Sequence, residues 1–293
     1  MHRQTKAYIY TGATILIWAT VASAFKISLR YLNHLQLLFF ASLFSLIIFF
    51  IILLSSKRLS LLRNSSKKDL FHSALFGFLN PFLYYLVLFK AYSLLPAQEA
   101  QPLNQTWAIV LSIMSIILLR QRITLLNISA LFISFLGVII VSTHGDIANL
   151  RFTDTLGVIL ALGSAVIWAL FWIYNVKDRR DVIAKLFLNF AFGVFFIFIL
   201  LLITDNLSLP DTPGWIGAAY VGAFEMGITF VLWLRALSLS KTTAQVSNMI
   251  YLVPFLSLMV IHFTIGEKIL SSTFIGLVFI VAGIILQRTF SEK

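Results

Sequence analysis

Two short stretches, Lys90-Ala91-Tyr92-Ser93-Leu94 and Arg235-Ala236-Leu237-Ser238-Leu239, repeat one another 145 residues apart. Matching residues surround both stretches at nearly the same spacing: Asn80-Pro81 with Glu225-Met226, Ala100-Gln101 with Ala244-Gln245, Gly77 with Gly222, Gly137 with Gly283, and Trp18-Ala19 with Trp168-Ala169. Internal self-similarity of this kind indicates a duplicated unit. We therefore divide the chain into residues 1–145 and 146–293.

The composition around these repeats is that of a membrane protein. Hydrophobic residues make up 60% of the chain, charged residues 11%, and the mean hydropathy is +0.95. A soluble domain is about 25% charged, so a soluble enzyme, a nucleic-acid-binding module and a disordered regulator are all excluded. The sequence has no cysteine, which removes disulfides, thiolate metal sites and thiol nucleophiles.

Ten apolar segments are long enough to cross a bilayer as helices, which takes roughly 20 residues. They are too long and uninterrupted for lipid-facing strands. The segments are Tyr8–Lys26, Leu35–Leu54, Leu70–Leu88, Ala97–Leu119, Leu125–Ser142, Thr155–Tyr174, Val182–Thr204, Gly214–Leu234, Thr243–Phe263 and Ser272–Arg288. We predict an all-α integral membrane protein of ten transmembrane helices, five in each copy.

The positions of the basic residues predict the orientation. With a cytoplasmic N-terminus, 17 of the 22 Lys and Arg residues fall on the inner side and 5 on the outer side. By the positive-inside rule, this bias predicts that both termini are cytoplasmic. We expect the protein to be a multi-pass protein of the cytoplasmic (inner) membrane. The basic residues are spread over six short segments, so the net charge of +11 does not indicate nucleic acid.

An odd number of helices per copy makes the second copy enter the membrane from the opposite side. Inverted repeats of this kind build secondary transporters, whose substrate site lies near the bilayer midplane between the two halves. We expect the copies to expose that site to each side in turn.

Several of these residues resemble a known family. The 5+5 helices, Trp18, Trp168, and Gly266-Glu267-Lys268 before a last helix carrying Gly276 and Gly283 are similar to the EamA branch of the drug/metabolite transporter superfamily. The stretch Leu95–Asn104 resembles the third-to-fourth helix junction of bacterial members similar to aromatic amino-acid exporters. The resemblance implies a cytoplasmic-membrane permease for small metabolites. The first copy departs from the pattern, with Arg120-Gln121-Arg122 in place of Gly266-Glu267-Lys268; we expect Glu267 to cap a helix end.

Glu225 is the principal candidate for the transport site. It lies near the middle of the eighth helix, where a carboxylate costs on the order of 2.5–3.5 kcal/mol. Its helical face carries Ala218, Gly222 and Thr229. The four matching positions of the third helix carry Ser73, Gly77, Asn80 and Tyr84, with Asn80 in the place of Glu225. The side chain either fixes helix packing through a hydrogen bond, or faces a cavity where it binds an amine or carries a proton.

Further candidates lie on the fourth, sixth and ninth helices. The polar ones are Asn104, Gln245, Asn248 and Tyr251, near Pro102 and Pro254. Trp18, Trp107 and Trp168 are too deep for the interfacial aromatic belt, and could form a wall for a ring or a cation. We expect Glu99 to be solvated near the outer surface, opposite Lys90.

No catalytic or metal-binding signature is present, so the sequence predicts neither an enzyme nor a cofactor. Asp178-Arg179-Arg180-Asp181 spaces two carboxylates like metal ligands, but the interleaved arginines favour a solvated loop. The first hypothesis is export of small metabolites, with amino acids as first candidates, driven by a proton or other ion gradient. The alternatives are uptake of a quaternary amine or cationic compound and, in a different class, an integral-membrane enzyme acting on lipids.

Overall fold

A computed structural model describes residues 3–107, 109–110, 114, 125–148, 152–240 and 249–291. Every regular element in these ranges is a helix. We number the α-helices α1 Arg3–Ser28, α2 His34–Ser55, α3 Ser60–Arg63, α4 Lys67–Gly77, α5 Tyr84–Leu94, α6 Ala97–Gln105, α7 Leu125–Ser142, α8 Thr155–Lys177, α9 Val182–Ile203, α10 Thr212–Tyr220, α11 Ile228–Leu239, α12 Val253–Ile265 and α13 Ser271–Ser291.

Two π-helical segments interrupt long helices at matching places. The first π segment, Phe78–Leu83, joins α4 to α5, and the second π segment, Val221–Gly227, joins α10 to α11. Asn80 in the first has an extended backbone, with φ −151° and ψ 120°. Irregular backbone at membrane depth is tolerated where protein or a water-filled cavity covers it.

Six helical segments of the described ranges are long and apolar enough to cross a membrane. They are Arg3–Ser28, His34–Ser55, Lys67–Leu94, Thr155–Asn175, Val182–Ile203 and Thr212–Ala236. Shorter apolar helices cover Phe132–Ser142, Val253–Ile265 and Ser271–Leu286. These nine correspond to nine of the predicted spans, while the fourth, Ala97–Leu119, continues beyond the described residues after α6. The protein is therefore a multi-pass membrane protein.

Polar side chains fix where several helices begin. Asn33 and Gln36 form a capping box at α2, and Ser66 and Asp69 form one at α4. Three aspartates accept hydrogen bonds from the first-turn N–H groups of α8, α9 and α10: Asp154, Asp181 and Asp211. Such caps satisfy N–H groups that have no partner inside the helix.

Equivalent helices of the two copies make equivalent packing contacts. α1 packs against α11 and α12, while α8 packs against α5 and α6. α2 lies against the second π segment and α9 against the first. Two further pairs join equivalent helices of the two copies, α2 with α9 and α7 with α13.

Glycines allow the closest of these approaches. A methyl group on Gly77 would meet the Asn189 carbonyl oxygen of α9, and one on Gly222 would meet the Ala41 carbonyl oxygen of α2. Between α7 and α13, a methyl group on Gly137 would lie 2.5 Å from the Gly276 carbonyl oxygen. Small residues at such crossings let helix backbones pack directly in a membrane.

Candidate functional site

A central cavity lies between α1, α5, α6, α8 and the second π segment. It encloses about 540 Å³ of empty space, part of it open to solvent. Six residues singled out from the sequence line it: Trp18, Tyr84, Asn104, Trp107, Trp168 and Glu225. The other lining residues are Val21, Phe25, Leu88, Tyr92, Gln101, Gln105, Ile250 and Val253.

Glu225 is the one charged side chain among the described residues that line this cavity. Its side chain is buried, and Oε1 accepts a 3.0 Å hydrogen bond from the phenol of Tyr85. The indole N–H of Trp18 lies near the same carboxylate, but its geometry falls short of a hydrogen bond. Among the described residues, the Tyr85 phenol is the one hydrogen-bond donor to this carboxylate, which lines the cavity.

Amide and hydroxyl groups form a second polar wall. Asn104 Nδ2 donates a 2.9 Å hydrogen bond to Ser164 on α8, and the Tyr84 phenol donates a weaker one of 3.4 Å to Asn104 Oδ1. Nearer the α5–α6 junction, the Tyr92 phenol donates a 2.7 Å hydrogen bond to Gln101. These groups can accept from an amine or donate to a carboxylate or hydroxyl.

Aromatic rings cover the remaining walls. Tyr84 stacks on Trp168 with ring centroids 4.5 Å apart and planes at 29°. Trp168 also contacts Phe230 at 5.7 Å, and Trp18 contacts Trp233 at 5.9 Å. A cavity with one carboxylate and several aromatic faces can bind a cation that has an apolar body.

The start of α6, which carries the amide wall, is held from the second copy. Glu267 accepts backbone hydrogen bonds of 3.0 and 3.1 Å from Ala97 and Gln98, so it caps a helix end as the sequence predicts. Lys26 of α1 donates to the carbonyl oxygens of Tyr92 and Leu95 at 2.9 and 2.7 Å, at the end of α5. Anions at helix starts and cations at helix ends are both favourable.

Glu99 is not solvated, contrary to the sequence prediction. Its side chain is 1% exposed, and Oε1 lies 2.6 Å from Nε2 of His144 and accepts a 2.9 Å hydrogen bond from Thr153. His144 follows α7 and Thr153 precedes α8, so side chains from these two places contact the first turn of α6. The Glu99 carboxylate is contacted by His144 and Thr153 rather than by Lys90.

The loop between α8 and α9 is also less solvated than predicted. Arg180 pairs with Asp178 at 2.6 Å, and its Nη1 reaches the Asp69 carbonyl oxygen and Ser73 Oγ of α4, both at 2.9 Å. Burial favours a higher pKa for Asp178, but the hydrogen bonds from Arg180 and the charges of Arg180 and Lys185 outweigh it, so the pKa lies below its ordinary value. Asp178 is therefore an ion-pair partner, and the described residues contain no metal-ligand cluster.

Of the other four predicted site residues, one is buried outside the cavity lining and three fall wholly or in their side chains outside the described part of the chain. Asn80 is fully buried away from the cavity. Gln245 and Asn248 lie outside the described residues, and Tyr251 belongs to the 3₁₀ turn Ile250–Leu252 with its side chain outside the description.

Sequence reasoning alone does not single out Tyr85 and Tyr92 as site residues. A regular helix would place Asn80 and Tyr84 on one face. The first π segment changes the register between them, so Tyr84, Leu88 and Tyr92 line the cavity while Asn80 does not. Proline cannot donate a helix hydrogen bond, so the Asn80-Pro81 pair is the sequence feature that indicates this change of register.

Comparison with known proteins identifies the family. The model of the EamA-like transporter family matches residues 5–143 and again residues 155–289. The chain belongs to the EamA-like transporter family. It is accordingly a membrane transporter.

Individual relatives agree with this assignment. An uncharacterized transporter of Clostridium kluyveri is 27% identical over 235 residues, covering 77% of this chain and 74% of that protein. One of Archaeoglobus fulgidus is 22% identical over 286 residues, covering 96% and 97%. A protein crystal structure with 17% sequence identity superposes with a TM-score of 0.68, covering 98% of both chains, and shows that the fold is shared.

Proposed function

We propose that this EamA-like protein is a secondary transporter that exports small metabolites carrying a protonated amine on an apolar or aromatic body. The observation that carries the proposal is the single carboxylate, Glu225, set among aromatic rings in the cavity. No cationic side chain lines the described part of that cavity, so a positively charged group is the natural ligand of Glu225.

The architecture that suits this function is ten helices in two inverted copies, residues 1–145 and 146–293. The like-with-like packing of α2 with α9 and α7 with α13 supports a two-fold relation between the copies. The matched contacts of Gly77 with Asn189 and of Gly222 with Ala41 support it as well. The basic residues favour cytoplasmic termini and the cytoplasmic membrane.

In this orientation the cavity opens toward the outer side. Trp18 and Phe25 lie in the second half of α1, Tyr84 and Tyr92 follow the first π segment, and the amide wall lies just after the start of α6. Substrate bound at Glu225 can then leave outward in this conformation. A rearrangement of the two copies gives access from the cytoplasm.

Glu225 is also the natural carrier of a coupling proton. A buried carboxylate in a membrane requires either a proton or a cation beside it. One proton from outside can therefore replace one amine, and the inward proton gradient drives the amine out. Neither a nucleotide nor another cofactor is needed for this exchange.

Amino acids are the second candidate substrates, because the cavity has amide groups as well as a carboxylate. Gln101, Asn104 and Gln105 lie on the α6 wall, where their N–H groups can hold a substrate carboxylate while Glu225 holds the amine. A zwitterion with an aromatic side chain uses both walls.

Three indole compounds separate these possibilities. We would measure thermal stabilisation of the purified protein, and uptake into proteoliposomes, with tryptamine, tryptophan and indole-3-propionate. Tryptamine should raise Tm and be transported, and indole-3-propionate should do neither. Equal or better results with tryptophan would favour the amino-acid candidate, and transport of indole-3-propionate alone would exclude Glu225 as the counter-charge.

The residue test is Glu225→Gln, which keeps the shape and removes the charge. This variant should insert and fold but lose most transport of tryptamine. If Glu225 carries the coupling proton, the pH gradient should also stop driving accumulation. Asp205→Asn, in an exposed turn, is the matched control, and normal transport by Glu225→Gln would return the carboxylate to a packing role.

A further inference from the structure

Two buried polar side chains lie outside the cavity, one in the first π segment and one on the helix that packs against it. Asn80 in that segment and Asn189 on α9 are both 0% exposed. The nitrogen and the oxygen of both carboxamides lack a hydrogen-bond partner among the described residues. Each carboxamide can donate two hydrogen bonds and accept two, so the donors and acceptors of these two side chains are unsatisfied to an unusual degree.

The two asparagines belong to one packed contact. A methyl group on Gly77 would meet the carbonyl oxygen of Asn189, and one on Gly193 would lie 2.5 Å from Cδ of Pro81. The α9 segment 189–193 therefore lies directly against residues 77–81, which include Asn80.

Aromatic rings connect this contact to the cavity wall. Phe190, which follows Asn189, contacts Phe230 at 6.4 Å, and Phe230 contacts the cavity-lining Trp168 at 5.7 Å. Tyr84, one turn after Asn80, stacks on the same Trp168. A series of ring contacts therefore leads from the neighbourhood of the asparagines to the cavity wall.

The corresponding groups at the second π segment do have partners. Ser45 of α2 donates a 2.7 Å hydrogen bond to the Gly222 carbonyl oxygen, and Glu225 accepts from Tyr85 at 3.0 Å. A buried polar group without a partner is destabilising, and in a native protein it calls for an explanation. The described conformation therefore satisfies the polar groups at the second π segment and leaves those at the first without partners.

We propose that Asn80 and Asn189 are substrate-binding residues of the opposite, cytoplasm-facing conformation. This inference rests on the proposed function, in which two inverted copies exchange roles. Asn80 occupies in the first copy the position of Glu225 in the second, so the exchange brings Asn80 to the cavity wall.

Asn80 and Asn189 can bind the polar group of a substrate although neither side chain is charged. The side-chain oxygens of Asn80 and Asn189 accept hydrogen bonds from an ammonium group, and their nitrogens donate to a carboxylate or hydroxyl. The cytoplasm-facing site would therefore bind through uncharged side chains, whereas the outward-facing site binds through the Glu225 charge.

Transport kinetics measured separately at the two faces of the membrane test this assignment. In Asn80→Ala and Asn189→Ala, the KM for tryptamine should rise about tenfold at the cytoplasmic face, because a hydrogen bond to a charged group is lost. At the outer face the KM should stay within about twofold of wild type, since no described cavity contact changes. Asn64→Ala, at an exposed residue after α3, is the matched control. An equal KM change at both faces, or none at either, would overturn the proposal.

Labelling of introduced cysteines gives an independent readout, because the protein has no native cysteine. Asn80→Cys and Asn189→Cys should react with a small methanethiosulfonate from the cytoplasmic side, faster when tryptamine is being transported. Thr273→Cys, fully buried at α13, should stay unreactive. If neither asparagine position reacts during transport, the pair is sealed in packing and the inference fails. If wild-type protein transports none of the probes, it is the proposed function that fails.

Discussion

The phenol of Tyr85 on α5 donates a 3.0 Å hydrogen bond to Oε1 of Glu225, a residue 140 positions later in the other copy. Both side chains are buried. A hydrogen bond from a neutral donor to a carboxylate is among the stronger ones in proteins. The first copy therefore orients the charged group that the second copy contributes, so the site requires both copies.

Removal of this donor should weaken the site without abolishing it. Tyr85→Phe should bind tryptamine about tenfold more weakly, since hydrogen bonds to charged groups contribute about 1.5–3 kcal/mol. Combined with Glu225→Gln it should add little, because the two side chains act together. Tyr31→Phe, at an exposed tyrosine, is the control, and additive losses in the double variant would show that Tyr85 acts elsewhere.

The cap on α6 should contribute measurably to stability. Glu267→Ala removes the acceptor for the Ala97 and Gln98 N–H groups, a loss of about 1–2 kcal/mol for a helix cap. Thermal melts should show Tm lowered by a few degrees, with Glu267→Gln in between because its amide oxygen still accepts. A Glu267→Ala protein that melts like wild type would mean that the cap is not formed in solution.

Close packing between α7 and α13 should make one glycine intolerant of a methyl group. Gly137→Ala should lower Tm, because its Cβ would lie 2.5 Å from the Gly276 carbonyl oxygen. Gly163→Ala on α8 has no atom within 4 Å of the added carbon. It should be neutral or raise Tm, since alanine favours a helix by about 1 kcal/mol over glycine. Similar melts for the two variants would contradict this packing.

The Asp178–Arg180 pair predicts a pH-dependent contribution to stability. The folded pKa of Asp178 lies below its ordinary value, so this contribution is present above the unfolded pKa of about 3.9 and is lost as pH falls through the folded pKa. Asp178→Asn should lower Tm at pH 7, and the difference from wild type should shrink toward pH 3. The exposed Asp205→Asn is the control, and a difference that grows in acid would reverse the sign of this argument.

Orientation can be tested with two added cysteines. Ser65→Cys lies after α3 in a segment rich in basic residues, and Leu209→Cys lies in the exposed turn before α10. On intact cells an impermeant maleimide should label only Leu209→Cys, and Ser65→Cys should react after the membrane is opened. Labelling of both from outside would contradict the predicted topology.

The sequence predicts the general architecture well because long apolar segments and repeats leave few alternatives. The duplicated stretches at Lys90 and Arg235 indicate the two units that the family model matches separately. Depth along a helix also singles out Glu225, Trp18 and Trp168 as inward-facing, since a carboxylate or a tryptophan far from the interface must be covered by protein or water.

The sequence is less informative where helical periodicity fails or where a distant segment decides burial. The first π segment changes the register after Gly77, which separates Asn80 from Tyr84. The position of Glu99 at the start of its helix predicts a solvated side chain, but His144 and Thr153 from another connection cover it. Local patterns do not contain these tertiary contacts.

The α7–α13 contact has a consequence for how the protein can be assembled. Gly137 opposes Gly276 on one side of the contact, while Gly283 opposes Ala130 and Ser134 on the other. The two helices thus use nearly equivalent surfaces at their contact, as the subunits of a symmetric homodimer do. The peptide connection between the copies is then not what keeps them together, and two separately expressed chains, cut at residue 150, should associate in the membrane into a working transporter.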